Sequence, residues 1–267
     1  GLGTLGVVTE VELSLVPAFN LAKSTRLVDR RWAEGNIERL LAAHEHVSFY
    51  YAAGSPDARS VRMHTWDRTD EPPAPDWREV DVRHELEDFA LSAYLPNVAE
   101  LVSEQAPDAA VATLLAPATR LVAPSAEAFG RKLFYRHDEI EFGVPFERYR
   151  DVLDRVLRLL AEEDYFSVVE VRFTPDASQA LLGPGVGRRT AYIELATPMS
   201  RPTAGMYARV EQIFLEHGGR PHLGKYCGMS ADGMLQAFGD RYVRFQQLRR
   251  AEDPEGKFLS GFTEQIF

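Results

Sequence analysis

The stretch SVVEVRFT, residues 167–174, decides the fold of this chain. Its β-branched and aromatic residues predict a β-strand. Because successive side chains of a strand point to opposite faces, the apolar residues at odd-numbered positions share one face. Glu170 and Arg172 share the other. The strand therefore has one apolar face suited to a core and one face that presents a carboxylate and a guanidinium.

Glu170 and Arg172 stand about 6–7 Å apart along the strand, given a rise of about 3.3 Å per residue. This spacing suits a site that holds two ends of a small polar ligand. It suits equally a solvent-facing ion pair on a sheet, which is the commoner arrangement. The strand alone does not decide between them.

Around this strand the pattern runs strand, helix, strand, strand, helix, over residues 138–144, 145–163, 166–174, 190–197 and 202–217. The order strand, helix, strand, strand also occurs earlier, over residues 23–29, 32–44, 46–52 and 60–65. We therefore predict an α+β fold, with a large mixed or antiparallel sheet backed by helices on one face. The other face is then left for a ligand or a second domain.

Three local features refine this picture. Pro145 is predicted at the first position of its helix, where proline is well tolerated. Residues 70–75 are a proline-rich break, and residues 80–130 are predicted to be a mostly helical insertion. The glycine pattern of residues 1–6 spells a dinucleotide-binding motif, but no strand precedes it, and residues 7–13 alternate as a strand does. We read it as a glycine turn entering a strand that ends near Pro17.

The composition excludes several classes of function. A net charge of −10 argues against general affinity for nucleic acid. The single cysteine, Cys227, permits no internal disulfide and suggests a reducing, cytoplasmic location. No apolar run approaches the roughly 20 residues that span a bilayer, and no signal peptide is expected. The chain is expected to be a fragment or the partner of a separate N-terminal piece.

A second candidate site lies in RPHLGK, residues 220–225, which follows two glycines. Proline and glycine keep it out of a helix, so it should be an ordered loop or short strand. Lys225 could stabilise a developing alkoxide, with His222 three positions before it. The alternative is a surface loop with a solvated lysine.

Other reactive residue types give weaker signals. His44 and His46 fall on different predicted elements and are expected to be structural, so no metal site is predicted. Cys227 lacks an evident base and is expected to be a small buried side chain. No serine-hydrolase, nucleotide-phosphate or zinc-protease motif is present.

The order of several stretches resembles the sugar-1,4-lactone oxidase family, which includes gulonolactone and arabinonolactone oxidases and is related to alditol oxidases. Residues 168–173, then LLGP at 181–184 and RRTAY at 188–192, carry this resemblance. Residues 3–17, 68–72, 139–145, 218–225 and 253–258 are similar to the same family. The chain departs from it at Leu223, where the family usually has tryptophan.

The resemblance implies a flavoenzyme of the vanillyl-alcohol-oxidase type that uses FAD. Residues 1–20 would be the closing strand of an FAD-binding domain that is otherwise absent from this chain, or present on a separate one. Residues 21–267 would be the substrate-binding domain. The family's usual covalent-flavin histidine would lie outside this chain.

The resemblance also assigns the site. Glu170, Arg172 and Lys225 would contact the substrate. His222 and the backbone of Gly6, Val7 and Val8 would lie near the isoalloxazine. A threonine that touches substrate in alditol relatives would be lost or replaced by Glu194.

The implied reaction oxidises the CH–OH group of a sugar lactone by hydride transfer to flavin N5. Arg172 and Lys225 would hold the developing alkoxide, while Glu170 would hold Arg172 and accept a hydroxyl. Three alternatives stay open at this point: an alditol oxidase, a flavin-free sugar-binding or interaction module, and an inactive structural domain. The fragment alone is expected to be colourless and inactive, and Lys225→Ala in the complete enzyme is expected to lower turnover far more than thermal stability.

Overall fold

A computed structural model describes residues 1–51, 60–81, 119–129, 136–176, 179–199 and 202–267. Eight described strands form one sheet, in the order β4-β1-β3-β2-β6-β7-β5-β8. The pairings within it are antiparallel. The strands are β1 (Asn20–Asp29), β2 (His46–Tyr51), β3 (Ser60–Thr69), β4 (Thr119–Pro124), β5 (His137–Pro145), β6 (Val168–Thr174), β7 (Thr190–Pro198) and β8 (Arg220–Pro221).

Helices connect and back these strands. They are α1 (Arg30–Gly35), α2 (Ile37–Ala43), α3 (Ser125–Ala128), α4 (Tyr149–Glu162), α5 (Ala204–Glu216), α6 (Ala231–Phe238), α7 (Asp240–Glu252) and α8 (Gly261–Ile266), with a 3-10 turn at Phe146–Arg148. A further helical stretch starts at Trp77 and continues to Asp81, at the end of a described range. The α+β class is confirmed.

The sheet consists of two β-α-β-β units joined side by side. The first unit contributes the strand order β1-β3-β2 and the second β6-β7-β5. The units meet where β2 pairs with β6, with Ser48 opposite Arg172 and Tyr50 opposite Glu170. Strand β6, from which the fold was predicted, therefore forms with β2 the seam between the two units.

One face of the sheet carries the core. Val169, Val171 and Ile193 are fully buried there, in one cluster with the helices. The face of α4 that packs in this cluster is the one predicted from sequence, namely Tyr149, Val152, Leu153, Val156, Leu157 and Leu160. Large apolar side chains on a 3.6-residue period and on alternate strand positions account for this packing.

The opposite face is polar but largely buried. A small second cluster formed by Trp77, Leu121 and Ala123 covers its β4 end. Toward the seam, this face presents Lys23, His64 and Ser48, which are all less than 9% exposed. A polar sheet face shielded from water needs polar partners or a ligand.

Several boundaries differ from the sequence prediction. The helix predicted over 32–44 is two helices divided at Asn36. Pro145 ends β5 and precedes the 3-10 turn; it does not begin α4. Within the predicted helical insertion, residues 119–124 form an edge strand because β1 offers them a free edge to pair with. Residues 80–81 and 125–128 of that insertion are helical, in line with the prediction. Residues 82–118 lie outside the described residues, and with them the apolar helix face that Leu86, Phe89, Ala90 and Tyr94 predict. The turn predicted at residues 54–57 lies outside them as well.

The predicted strand over residues 7–13 is not formed. Residues 6–19 have neither helix nor strand, because no described strand lies beside them to complete a hydrogen-bonded ladder. Their alternating apolar side chains are solvent-exposed, including Val8 at 78% and Leu15 at 88%. The assignment of residues 1–20 to a separate domain stays a prediction. None of the described helices is both long enough and apolar enough to cross a membrane.

Candidate substrate-binding site

A cavity of about 570 Å³ opens on the polar face of the sheet, across the seam between the two units. From the second unit it is lined by Glu141, Glu170, Arg172, Phe173, Thr174, Tyr192 and His222. From the first it is lined by Lys23, His46, Val47, Ser48, Tyr50, His64, Trp66 and Asp81, with Ala128 and Phe129 from the α3 region. Small-molecule sites have volumes of roughly 300–1,000 Å³, so this cavity is of ligand-binding size.

Three carboxylates form a row across the second unit. Glu170 on β6 lies opposite Glu194 on β7, which lies opposite Glu141 on β5. Neighbouring strands are about 4.7–4.9 Å apart, so the register brings three like charges close together. Their exposures are only 2–4%. Such a row persists only if cations neutralise it.

Arg172 provides the first cation. Its Nη2 donates to Glu141 Oε1 at 2.5 Å and to Glu194 Oε2 at 2.7 Å. Burial by itself would lower the pKa of Arg172, but attraction to Glu170, Glu141 and Glu194 outweighs it and raises the pKa. The guanidinium therefore stays charged at every physiological pH.

Lys225 provides the second cation, from the loop after β8. Its Nζ lies 2.8 Å from Glu194 Oε2, 2.9 Å from Glu139 Oε2 and 3.2 Å from Glu141 Oε2. Burial would lower the pKa of Lys225, but Glu194 and Glu141 outweigh it and raise the pKa. Lys225 and Arg172 thus share Glu194 Oε2, which brings both cationic nitrogens to one oxygen.

Backbone hydrogen bonds fix the loop that delivers Lys225. The N–H of His222 donates to Glu141 O at 2.9 Å, and that of Tyr226 donates to Glu139 O at 2.8 Å. These two bonds continue the edge of β5 beyond the short β8 pairing. The chain reaches β8 through Gly218, whose φ of +74° suits glycine. The loop is therefore ordered, as predicted.

The cluster holds more negative than positive charge. Four carboxylates (Glu139, Glu141, Glu170 and Glu194) surround the cations of Arg172 and Lys225. His137 Nε2 also lies 2.9 Å from Glu139 Oε1. Burial would raise the pKa of Glu139, but hydrogen bonds from Lys225 and His137 lower it overall. Carboxylate oxygens are thus available beside two fixed cations.

The pKa shifts of Glu139 and Lys225 predict a contribution to the free energy of unfolding that does not change with pH where both groups are charged. The lowered pKa of Glu139 gives stability that is present above about pH 4.5 and is lost as pH falls through its folded pKa. The raised pKa of Lys225 gives stability that is present below about pH 10.5 and is lost as pH rises through its folded pKa. Denaturation of the unmodified chain and of Glu139→Gln should differ by a constant amount between about pH 8 and 10, above the usual range of histidine titration, and by less below about pH 4.5. A difference that varies between about pH 8 and 10 would contradict this assignment.

The structure brings four of the predicted site residues together. Glu170, Arg172 and His222 line the cavity, and Lys225 contacts the same carboxylates as Arg172. Arg172 also donates hydrogen bonds to Glu141 and Glu194, which the sequence did not predict, and Glu170 attracts it through charge. The catalytic roles of these residues stay predictions.

The sequence reading missed Glu139 and Glu141 as site residues. The signal was present, because DEIEF at 138–142 alternates acidic and apolar residues as residues 168–173 do. With a period of two, both glutamates had to share the polar face. Glu194 lies beside Arg172 and Lys225 but is not among the cavity-lining residues, and its expected replacement of a threonine contact stays a prediction.

The remaining predicted residues lie elsewhere. Gly6, Val7 and Val8 do not line the cavity, and a Cβ placed on Gly1 of the same turn would lie 3.8 Å from Phe245 on α7. Their role near a flavin stays a prediction. Leu223 packs against the main core and is not among the cavity-lining residues.

Of the residues expected to be structural, Cys227 is buried, whereas His46 lines the cavity beside Phe129. His44 Nδ1 pairs with Asp67 Oδ2 at 2.7 Å. Burial raises the pKa of the Cys227 thiol to about 11, so little thiolate forms at neutral pH. Within the described ranges, no group of three or more metal-ligating side chains is placed to bind a metal ion.

The fold and cavity together define an antiparallel-sheet α+β domain with a buried, doubly cationic and carboxylate-rich site for a small polar ligand. Residues 11–266 match the D-arabinono-1,4-lactone oxidase family. The chain belongs to this family of lactone oxidases and dehydrogenases, which are oxidoreductases.

Individual relatives agree with this membership. L-gulono-1,4-lactone dehydrogenase of Mycobacterium tuberculosis is 27% identical over 99% of this chain and 61% of its own length. L-gulonolactone oxidase of Scyliorhinus torazame is 24% identical over 100% of this chain and 61% of its own. Among solved structures, the flavoenzyme CrmK superposes with a TM-score of 0.49 and 14% identity, over 92% of this chain and 55% of its own. The chain thus spans about three fifths of the length of the curated relatives it matches.

Proposed function

We propose that this chain is the substrate-binding portion of an FAD-dependent oxidoreductase that oxidises a CH–OH group of a sugar-1,4-lactone. The observation that carries the proposal is the pairing of Arg172 and Lys225 at one carboxylate oxygen beside a cavity of about 570 Å³. Membership of the lactone oxidase family supports the substrate class.

Oxidation of an alcohol requires the O–H proton to leave while the C–H hydrogen departs with its electron pair. Negative charge develops on the alcohol oxygen, and fixed cations lower the energy of that state. Arg172 and Lys225 are already held in position by glutamates, so they need not reorganise as the charge forms. The raised pKa of Lys225 makes it a cation at neutral pH, and therefore not the base that takes the proton.

The carboxylates provide the acceptors that a polyol needs. The hydroxyl groups of a sugar lactone are hydrogen-bond donors, and an ionised glutamate is an acceptor only. Glu141 and Glu170 both line the cavity and are 2% and 4% exposed. Glu141 Oε2 makes no hydrogen bond among the described residues, although Lys225 lies 3.2 Å away. A substrate hydroxyl would satisfy this oxygen and fix the orientation of the sugar.

The lining residues fit the ring end of a flavin more than its phosphates. His222 lines the cavity next to Glu141, whose carbonyl oxygen accepts from the backbone N–H of His222 at 2.9 Å. No described lining residue is a glycine of the kind that lets a pyrophosphate approach the backbone. His222 would therefore contact a flavin ring, with the dinucleotide held by another domain or chain. When bound, the flavin supplies a two-electron acceptor.

A turnover assay of the complete flavin-loaded protein would test the proposal. The panel should contain L-gulono-1,4-lactone, D-arabinono-1,4-lactone and the corresponding open-chain alditols, with and without oxygen. We expect oxidation of a lactone in preference to its alditol. Preference for the alditol would make the protein an alditol oxidase. Binding of a sugar without flavin reduction would make it a flavin-free binding module.

A further inference from the structure

The half of the cavity that belongs to the first unit is chemically unlike the carboxylate half. His64 and Trp66 project from β3 and Ser48 from β2, while Phe129 follows α3. The rings form a continuous wall, with centroids 5.6 Å apart between His64 and Trp66, and 5.5 Å apart between Trp66 and Phe129. In the strand register Ser48 stands opposite His64 on one side and Arg172 on the other, so the wall directly adjoins the proposed reaction site.

Two polar groups in this wall have no hydrogen-bond partner among the described residues. Ser48 Oγ and Trp66 Nε1 are buried, in side chains whose residues are 2% and 8% exposed, and both residues line the cavity. A buried polar group without a partner is costly, so natural proteins seldom keep one for packing alone. These atoms indicate a ligand that hydrogen-bonds to a hydroxyl and to an indole N–H.

We propose that this aromatic half is a second subsite that takes a second sugar ring, attached to the lactone that is oxidised. The inference rests on the proposed function and names a wider substrate for the same cavity. The occupant would lie with its C–H face against the rings of His64 and Phe129, with hydroxyls toward Ser48 Oγ and accepting from Trp66 Nε1. The natural substrate class would then be a glycosylated sugar lactone.

Other occupants leave the polar groups of this half unsatisfied. An aromatic or aliphatic group would cover the rings but leave Ser48 Oγ and Trp66 Nε1 unpaired. An anion would meet Asp81, whose Oδ1 lies 3.9 Å from Lys23 Nζ. Lys23 in turn lies 5.8 Å from the centroid of Trp66. Sugars combine an apolar C–H face with hydroxyls that both donate and accept, which matches a wall of this mixed character.

A matched pair of ligands tests the subsite: L-gulono-1,4-lactone and the same lactone with a galactosyl group on its O6. Affinity is measured by titration calorimetry on the 267-residue chain, and KM on the flavin-loaded complete protein. We expect the glycosylated lactone to bind at least about tenfold more tightly. Ser48→Ala and Trp66→Phe should each reduce this advantage by roughly three- to tenfold, the worth of one hydrogen bond, and leave the affinity for the simple lactone unchanged.

Trp32→Phe is the control, because Trp32 lies on α1, outside the cavity, and is 41% exposed. It should leave both affinities unchanged. Should Trp66→Phe fail to fold, Ser48→Ala alone decides. Equal affinity for the two lactones, or an advantage that vanishes once flavin is bound, would overturn the subsite. Oxidation of the simple lactone in that case would leave the proposed function intact, whereas no oxidation of either lactone would contradict the proposed function itself.

Discussion

Replacing Lys225 by alanine should lower the free energy of unfolding by about 3–5 kcal/mol, the usual cost of removing one partner from a buried ion pair. Lys225 Nζ is the cation shared by Glu139, Glu141 and Glu194, and the last two have side chains only 2% exposed. Without Lys225, Arg172 alone would face a row of buried carboxylates. Their mutual repulsion and their lost solvation then both oppose folding.

Chemical denaturation of the 267-residue chain at neutral pH measures this effect. Lys257→Ala is the matched control, because Lys257 pairs with Glu255 where both side chains are more than 70% exposed, and such pairs contribute about 0–1 kcal/mol. Lys225→Arg should recover part of the loss, since it restores the charge. A loss below about 1 kcal/mol for Lys225→Ala would mean that Lys225 does not neutralise the cluster.

This expectation revises the one drawn from sequence, in which Lys225→Ala affects turnover far more than stability. The sequence places a lysine in a glycine-rich loop, where a solvated side chain costs little to remove. The structure places its ammonium group among three carboxylates, so one substitution acts on both stability and charge stabilisation. The loss of turnover in Lys225→Ala therefore has to be measured at a temperature where the unfolding curve shows that the variant remains folded.

The sequence predicts well whatever depends on local periodicity. Alternation assigns Glu170 and Arg172 to one face of β6, and the same rule applied to β5 gives Glu139 and Glu141. Alternation along single strands cannot predict the order of the strands in the sheet. The row Glu170, Glu194 and Glu141 depends on β7 lying between β6 and β5, and that is a long-range pairing.

Two segments differ from the structure that their sequence pattern predicts, and the cause in each is whether a neighbouring strand is available for pairing. Residues 7–13 alternate as a strand but have no described neighbouring strand, so they form no strand and are exposed. Residues 119–124 fall in a stretch that reads as helical, yet β1 presents an open edge and they pair with it. Strand formation depends on cross-strand contacts more than on intrinsic preference, and the local sequence does not reveal those contacts.

Replacing Arg172 by alanine should lower kcat of the complete flavin-loaded protein on a sugar lactone by about 10²–10³-fold, the usual effect of removing one fixed donor to a developing oxyanion. The loss in stability should be smaller than for Lys225→Ala, because the side chain of Arg172 is 43% exposed and that of Lys225 only 15%. Of the two cations in the carboxylate cluster, Arg172 is the one whose side chain lines the cavity.

Adding free guanidinium to Arg172→Ala distinguishes a loss of catalysis from a loss of structure. The substitution enlarges a cavity of about 570 Å³, so free guanidinium can enter and occupy the position of the lost group. It should restore a measurable part of kcat in Arg172→Ala without shifting the melting temperature. Arg189→Ala is the control, because Arg189 makes an exposed pair with Glu38 through both Nη atoms, and neither its kcat nor its response to guanidinium should differ from that of the unmodified protein. Full activity of Arg172→Ala would remove the guanidinium from the chemistry and leave Lys225 as the cation that meets the alkoxide.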